Sequence, residues 1–178
     1  MGEEKDISPP ELARLAVEQF ISGGEIIRPP TELRGVLAER AGVFVSLHTT
    51  DGRLRGCIGT INPAKATVAE EIICNALSAA TCDPRFAPVT PPELPGLTYG
   101  VDVLAPLEAA RGPEDLDPAR YGVLIEGEDG RRRGLLLPRI EGIETVEEQW
   151  RIVHQKAGIR LGEPVRVQRF TVTRFGKD

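Results

Sequence analysis

The chain reads as an α+β fold built mostly of antiparallel sheet, on three observations. Two Asp-Gly pairs, Asp51-Gly52 and Asp129-Gly130, each divide two β-like runs, which is a strong hairpin signal. Downstream of each, a threonine stands three residues before a glutamate, Thr67 before Glu70 and Thr145 before Glu148, the spacing of a helix capping box. One offset of 78 residues separates both pairs, Asp51 from Asp129 and Thr67 from Thr145, so the devices recur in register. The expectation is two ββαβ repeats (hairpin, capped helix, strand), at about 43–105 and 121–175, within a single domain over 1–178.

An N-terminal helix precedes the repeats. Ser8 with Glu11 forms a third capping box, Pro9 suits the first helical position, and Gly23 suits the C-terminal cap. Leu12, Leu15, Ala16 and Phe20 supply its apolar face. In the first repeat, residues 43–50 pair with 53–60. A helix follows with the stripe Val68, Ile72, Ala76 and Ala79, then a Pro-rich segment over 83–95 and a strand over 97–104. In the second, 121–127 pair with 131–137, a helix carries Val146, Trp150, Val153 and Ala157, and one strand over 165–175 closes the unit.

Composition narrows the function. Lys and Arg number 22 against 27 Asp and Glu, for a net charge of −5, and aromatic residues are 4%. Both figures count against nucleic-acid binding and leave room only for a local basic patch. Hydrophobic residues are 40% and charged residues 28%, ordinary for a soluble domain, and no apolar run approaches the roughly 20 residues of a membrane span. The start, Met1-Gly2-Glu3-Glu4-Lys5-Asp6, is too polar for a signal peptide, so the expectation is a cytoplasmic protein without membrane contact. Cys57, Cys74 and Cys82 are an odd number without a C-x-x-C, which argues against a disulfide framework. Two histidines, His48 and His154, provide no metal-ligand spacing, and the common nucleotide-binding glycine motifs are absent.

Candidate chemistry concentrates in Leu54-Arg55-Gly56-Cys57-Ile58-Gly59-Thr60. Glycine inside a strand marks a bulge or the close approach of another backbone or a ligand. A cysteine beside an arginine is a candidate for a low pKa. A two-residue Asp51-Gly52 turn would set Ser46 opposite Cys57 and His48 opposite Arg55 on one face, with Val43, Val45, Leu47, Leu54 and Ile58 on the other. His48 and Cys57 would then be diagonal neighbours, roughly 7–8 Å apart, close enough for an imidazole to assist a nucleophilic thiol through a water. Against this stands the second repeat, where Leu124 and Leu135 occupy the places of Ser46 and Cys57. That equivalence favours a buried core thiol. Glu126 and Arg133, in the places of His48 and Arg55, read as a cross-strand ion pair.

Elsewhere, Cys74 inside a helix reads as core, and Cys82 just after it as partly exposed. His154 reads as a satisfied or solvent-facing side chain. Arg166, Arg169 and Arg174, with Arg131 and Arg133, would make either a local anion site or a solvated sheet edge. In Asp83-Pro84-Arg85-Phe86, Arg85 would pair with Asp83 or reach the hairpin, while Phe86 anchors the loop.

These segments resemble the AMMECR domain family. Leu54-Arg55-Gly56-Cys57-Ile58-Gly59-Thr60 matches the family's hallmark. Asn75-Ala76, Ala79-Ala80, Asp83-Pro84-Arg85-Phe86, Val103-Leu104, Arg133-Gly134-Leu135-Leu136-Leu137-Pro138, Trp150 and Lys156-Ala157-Gly158 follow in order, over about 8–175. Asp102 stands where a serine is common, and Arg139 where glutamine is expected. The resemblance implies an AMMECR-like fold of two subdomains with a groove between them near the hallmark run. It implies no established reaction and no defined cofactor. It also implies association with a Memo-like protein and a radical SAM protein, the grouping called AmmeMemoRadiSam. Two functions follow. One is an enzyme or accessory factor in which Cys57 and His48 are catalytic and Arg55, Gly56, Gly59, Thr60, Asp83, Arg85 and Phe86 contact an unknown small ligand. The other is a non-catalytic module binding a protein or ligand, with Cys57 a structural thiol.

Overall fold

Val43, Val45 and Leu47 recur at every second position, so the strand they occupy has one apolar face. In the computed structural model that strand is β1 (Val43–Thr49), paired antiparallel with β2 (Leu54–Gly59). The structure describes residues 7–176; the polar start from Met1 to Asp6 and the last two residues lie outside them. The described chain divides into two units, one running to Leu104 and resuming at Thr173, the other spanning Ala105–Val172.

The first unit contains α1 (Pro9–Gly23), the β1–β2 hairpin, α2 (Val68–Thr81), β3 (Leu97–Leu104) and β8 (Val172–Phe175), in the sheet order β2-β1-β3-β8. The Glu11 carboxylate accepts from the Ser8 N–H and hydroxyl, and Gly24, one residue later than expected, takes the left-handed cap with φ 72°. Leu12, Ala13, Ala16 and Val17 face inward and Leu15 is exposed, so the buried stripe is rotated towards Ala13 and Val17. They pack with Val43, Val45, Leu47, Val68, Ile72, Ala76, Val101 and Val103.

The hairpin tip differs from the expected two-residue turn. That turn needs positive φ at both central residues, yet Asp51 does not adopt it and Gly52 does, at φ 86°. Gly52 N–H instead donates to Thr49 C=O and Thr49 N–H to Arg53 C=O, closing a three-residue loop around an αL glycine. The extra loop residue is absorbed as a register shift, so His48 faces Leu54 and not Arg55, while Ser46 still faces Cys57.

The second unit contains β4 (Glu108–Ala110), β5 (Gly122–Gly127), β6 (Arg133–Leu136), α3 (Val146–Ala157) and β7 (Val165–Phe170), in the sheet order β4-β7-β5-β6. One core gathers Leu116, Val123, Ile125, Leu136, Val153, Ala157, Ile159 and Val167. Thr145 accepts from the Glu148 N–H as Thr67 does from Glu70. Glu126 lies opposite Arg133 as expected, but its carboxylate pairs with Arg166 on β7, at 3.4 Å. The expected strand over 165–175 breaks after Phe170: β7 pairs with β5 and β4, whereas β8 stands beside β3 in the other sheet. A bidentate pair fixes β8 there, with Arg174 Nε and Nη2 2.8 and 3.0 Å from the Asp102 oxygens.

Each unit presses a helix backbone onto a strand glycine. A Cβ on Gly56 would collide with the Ala79 carbonyl, and one on Gly134 would sit 2.6 Å from the Val153 oxygen and 2.8 Å from the Ala157 nitrogen. The close approach that the hallmark glycine signals at Gly56 is therefore made by α2 of this chain. Gly56→Ala and Gly134→Ala should each lower the unfolding free energy by about 1–3 kcal/mol through overpacking. Gly96→Ala, where nothing lies within 4 Å, should stay within about 0.5 kcal/mol of the parent protein in urea titrations at constant slope. Equal costs at all three positions would refute the close-approach account.

Candidate functional site: the clamped cysteine of the first sheet

β2 is an edge strand, and antiparallel alternation points the N–H and C=O of Cys57 away from β1. The loop after α2 takes up both groups. Pro84 pushes Asp83 out of helical geometry, and the Asp83 carboxylate then folds the loop by accepting from the Arg85 N–H at 3.1 Å. Its second oxygen accepts from the Cys57 N–H at 2.9 Å. Arg85 closes the clamp: Nε and Nη2 bind the Asp83 oxygens at 3.0 and 2.8 Å, and Nη2 reaches the Cys57 carbonyl at 3.4 Å. Arg85 therefore does both things expected of it, pairing with Asp83 and reaching the hairpin.

The electrostatics follow from this geometry. Asp83 is only 4% exposed, yet the Arg85 hydrogen bonds, against an opposing burial cost, hold its carboxyl well below the usual carboxylate range. Arg85 is raised in turn, chiefly by its hydrogen bonds to Asp83 against an opposing burial cost, with smaller charge interactions from Asp83 and Cys57. Phe86 lies between two guanidinium groups, 5.5 Å from that of Arg85 and 5.8 Å from that of Arg55. Arg55 pairs with Glu93, Nε to Oε1 at 2.7 Å, and Glu93 also caps Thr90. These contacts, the Arg55 bond first, lower the Glu93 carboxyl to about 2. Among the described residues, none makes a hydrogen bond to the buried Arg55 Nη1.

Cys57 itself is half-buried, which departs from the fully buried core thiol that Leu124 and Leu135 suggested. Ser46 faces it, and Gly100 on β3 leaves room for the Ser46 hydroxyl. His48 lies on the same face, half-buried, and burial lowers its pKa, so the imidazole is neutral at pH 7. The remaining hallmark residues serve the fold. Gly59 lies under the Phe44 ring. The Thr60 hydroxyl donates to Glu71 at 2.9 Å and accepts from Asn75 at 3.3 Å. Glu71, almost wholly buried, also accepts from the N–H groups of Ala64 and Lys65.

Sequence reasoning missed Glu71 and Glu93. The second acid in the first turn of α2 was a weak signal for Glu71, and Glu93 lies 38 residues from its partner. Cys74, expected in the core, is exposed on the flank of α2, as is Cys82 beyond it. His154 is buried and satisfied, with Nδ1 2.9 Å from the Trp150 carbonyl. The arginines grouped as an anion site disperse: Arg174 pairs with Asp102, Arg169 with Glu108 and Arg166 with Glu126. Among the described residues no cluster of three His, Cys, Asp or Glu is placed to hold a metal, and no helix is long and apolar enough to cross a membrane.

Comparison with known proteins bears on this arrangement. The AMMECR1 family model matches residues 10–176. A protein of Thermotoga maritima is 51% identical over 164 residues, covering 89% of this chain and 91% of its own. A protein of Clostridium acetobutylicum is 45% identical over 92% of this chain, which spans only 35% of that longer relative. The crystal structure of the uncharacterised protein PH0010 from Pyrococcus horikoshii superposes with a TM-score of 0.85 at 34% identity, over 96% of this chain and 90% of that one.

The clamp makes stability depend on pH with a defined sign. The Asp83 carboxyl titrates near 4 when unfolded and well below that when folded. Its contribution is complete above the unfolded value and is lost as pH falls towards the folded one. Asp83→Asn should cost about 1–3 kcal/mol at neutral pH. The gap from the parent protein should narrow between about pH 5 and pH 2 in urea unfolding. A gap that does not vary with pH would show that Asp83 does not act as a buried carboxylate.

Proposed function

From the premise that this chain belongs to the AMMECR1 family, we propose that it is a cysteine-centred enzyme or enzyme partner, with Cys57 as its nucleophile. The observation that carries this reading is a half-buried thiol on a strand clamped by Asp83 and Arg85, with a guanidinium coupled electrostatically to it. A nearby cation favours thiolate over thiol, and the thiolate is the reactive form. In the proposed step the Cys57 sulfur bonds to an electrophilic carbon of the substrate, the thiol proton passes to neutral His48 through water, and the leaving group departs with the bonding electron pair. Arg55 and Phe86 border the ligand. Gly56, Gly59 and Thr60 support the strand without touching it.

The alternative is a non-catalytic module binding a protein or ligand, with Cys57 a structural thiol; its contacts would lie elsewhere than at Gly56 and Gly59, whose space is taken by Ala79 and Phe44. We further propose that the protein is cytoplasmic and, by family resemblance, that it works beside a Memo-like protein and a radical SAM protein. The shared order of hairpin, capped helix and third strand in the two units supports their origin by duplication.

The test uses a Cys74→Ser, Cys82→Ser background, since both of those thiols are exposed. Iodoacetamide should label Cys57 in the folded protein. Adding Arg85→Gln should move the pH for half-maximal labelling upward. Cys57→Ala should abolish complementation of a deletion strain while leaving the thermal midpoint within a few degrees. A folded protein that resists labelling, or an Arg85→Gln profile identical to the parent, would overturn the nucleophile role.

A further inference from the structure

β2 and β6 occupy matching places in the two sheets, each the outer strand of a hairpin, yet their outer edges differ. Gly127 N–H donates to Arg132 C=O at 2.9 Å. Antiparallel alternation from that bond makes Ile125–Gly134 and Val123–Leu136 the bonded pairs, so the N–H and C=O of Arg133 and Leu135 point away from β5. Cys57, the counterpart of Leu135, has both outward groups clamped by Asp83 and Arg85. Among the described residues no hydrogen bond reaches the outward backbone of Arg133 or Leu135. Side chains mark the same edge. Arg131 and Arg133 are exposed, and neither guanidinium takes part in an ion pair among the described residues. The nearby acids are already engaged, Asp129 by Arg132 and Glu126 by Arg166.

We propose that β6 is a docking edge that accepts an extended acidic segment of another protein as an added strand. Backbone hydrogen bonds to Arg133 and Leu135 supply the pairing. The two-residue period puts Arg133 and Leu135 on one face, and exposed Arg131 precedes them in the turn, so a partner strand running parallel to β6 presents two acids and then an apolar residue at alternate positions. A second copy of this chain is the wrong occupant, because its β6 brings arginine and leucine to a row whose two exposed arginines call for acids. The edge is independent of Cys57 and its proposed chemistry.

Fluorescence anisotropy with a labelled peptide Thr-Glu-Thr-Glu-Thr-Val-Thr tests this. Two further versions carry N-methyl groups on alternate residues, one for each edge of the peptide strand. The parent peptide should bind, more weakly as salt rises. One methylated version, and the Arg131→Glu, Arg133→Glu double variant, should each bind at least about tenfold more weakly. Leu135→Pro removes an outward N–H that β5 does not use, and should match that loss with an unchanged far-UV circular dichroism spectrum. Equal binding of both methylated peptides would reduce the interaction to charge alone and overturn strand addition. So would the absence of saturable binding up to about 1 mM peptide, which would leave the arginines only as guards against self-pairing.

Discussion

The candidate site rests on one carboxylate. Asp83 accepts from the Cys57 N–H, folds its own loop by accepting from the Arg85 N–H, and holds the Arg85 side chain where that guanidinium meets the Cys57 carbonyl. An edge strand offers unpaired donors and acceptors that invite foreign strands, and here a charge-assisted pair satisfies them from within. The same bonds tie a Pro-rich loop to the sheet and carry Phe86 and Arg85 to the neighbourhood of the thiol. Stability and candidate chemistry thus share a single anchor, so damage to the loop and damage to the site are hard to separate except by pH.

What was legible in the sequence was local. Asp-Gly hairpins, Thr-x-x-Glu caps and the alternation of Val43, Val45 and Leu47 are short-range devices, and each forms, although the tip at Asp51-Gly52 takes a longer loop than expected. The hairpin register was right at Ser46 and Cys57 and wrong at His48, because turn type depends on backbone angles that Asp51 does not adopt. Long-range partners were not legible. Nothing near Arg55 announces Glu93, and nothing near Thr60 announces both Glu71 and Asn75. The break at Thr171 was missed although the apolar phase slips there, from Val165 and Val167 at odd positions to Phe170 and Val172 at even ones; the pairing partners show that two strands result. Three-residue β4 is too short to carry a pattern.

The two units show how similar frameworks diverge. Both press a helix backbone onto a strand glycine, Gly56 against Ala79 and Gly134 against Ala157. Around that shared contact one unit places Ser46, His48 and Cys57 where the other places Leu124, Glu126 and Leu135. A face that carries two leucines and an ion-paired glutamate in one unit carries a thiol, a hydroxyl and an imidazole in the other, on the same antiparallel hairpin framework.

The return of the chain to its first sheet has a consequence for biosynthesis. Helices α1 and α2 and strands β1 to β3 leave the ribosome early, but β8 follows only after all of Ala105–Val172. Until Arg174 arrives, Asp102 lacks its guanidinium and β3 has an open flank. The second unit, contiguous in sequence, has no such wait. The usual vectorial order, in which the N-terminal part completes first, is therefore inverted here: the early-made sheet is finished last, and its final strand acts as the closing stitch.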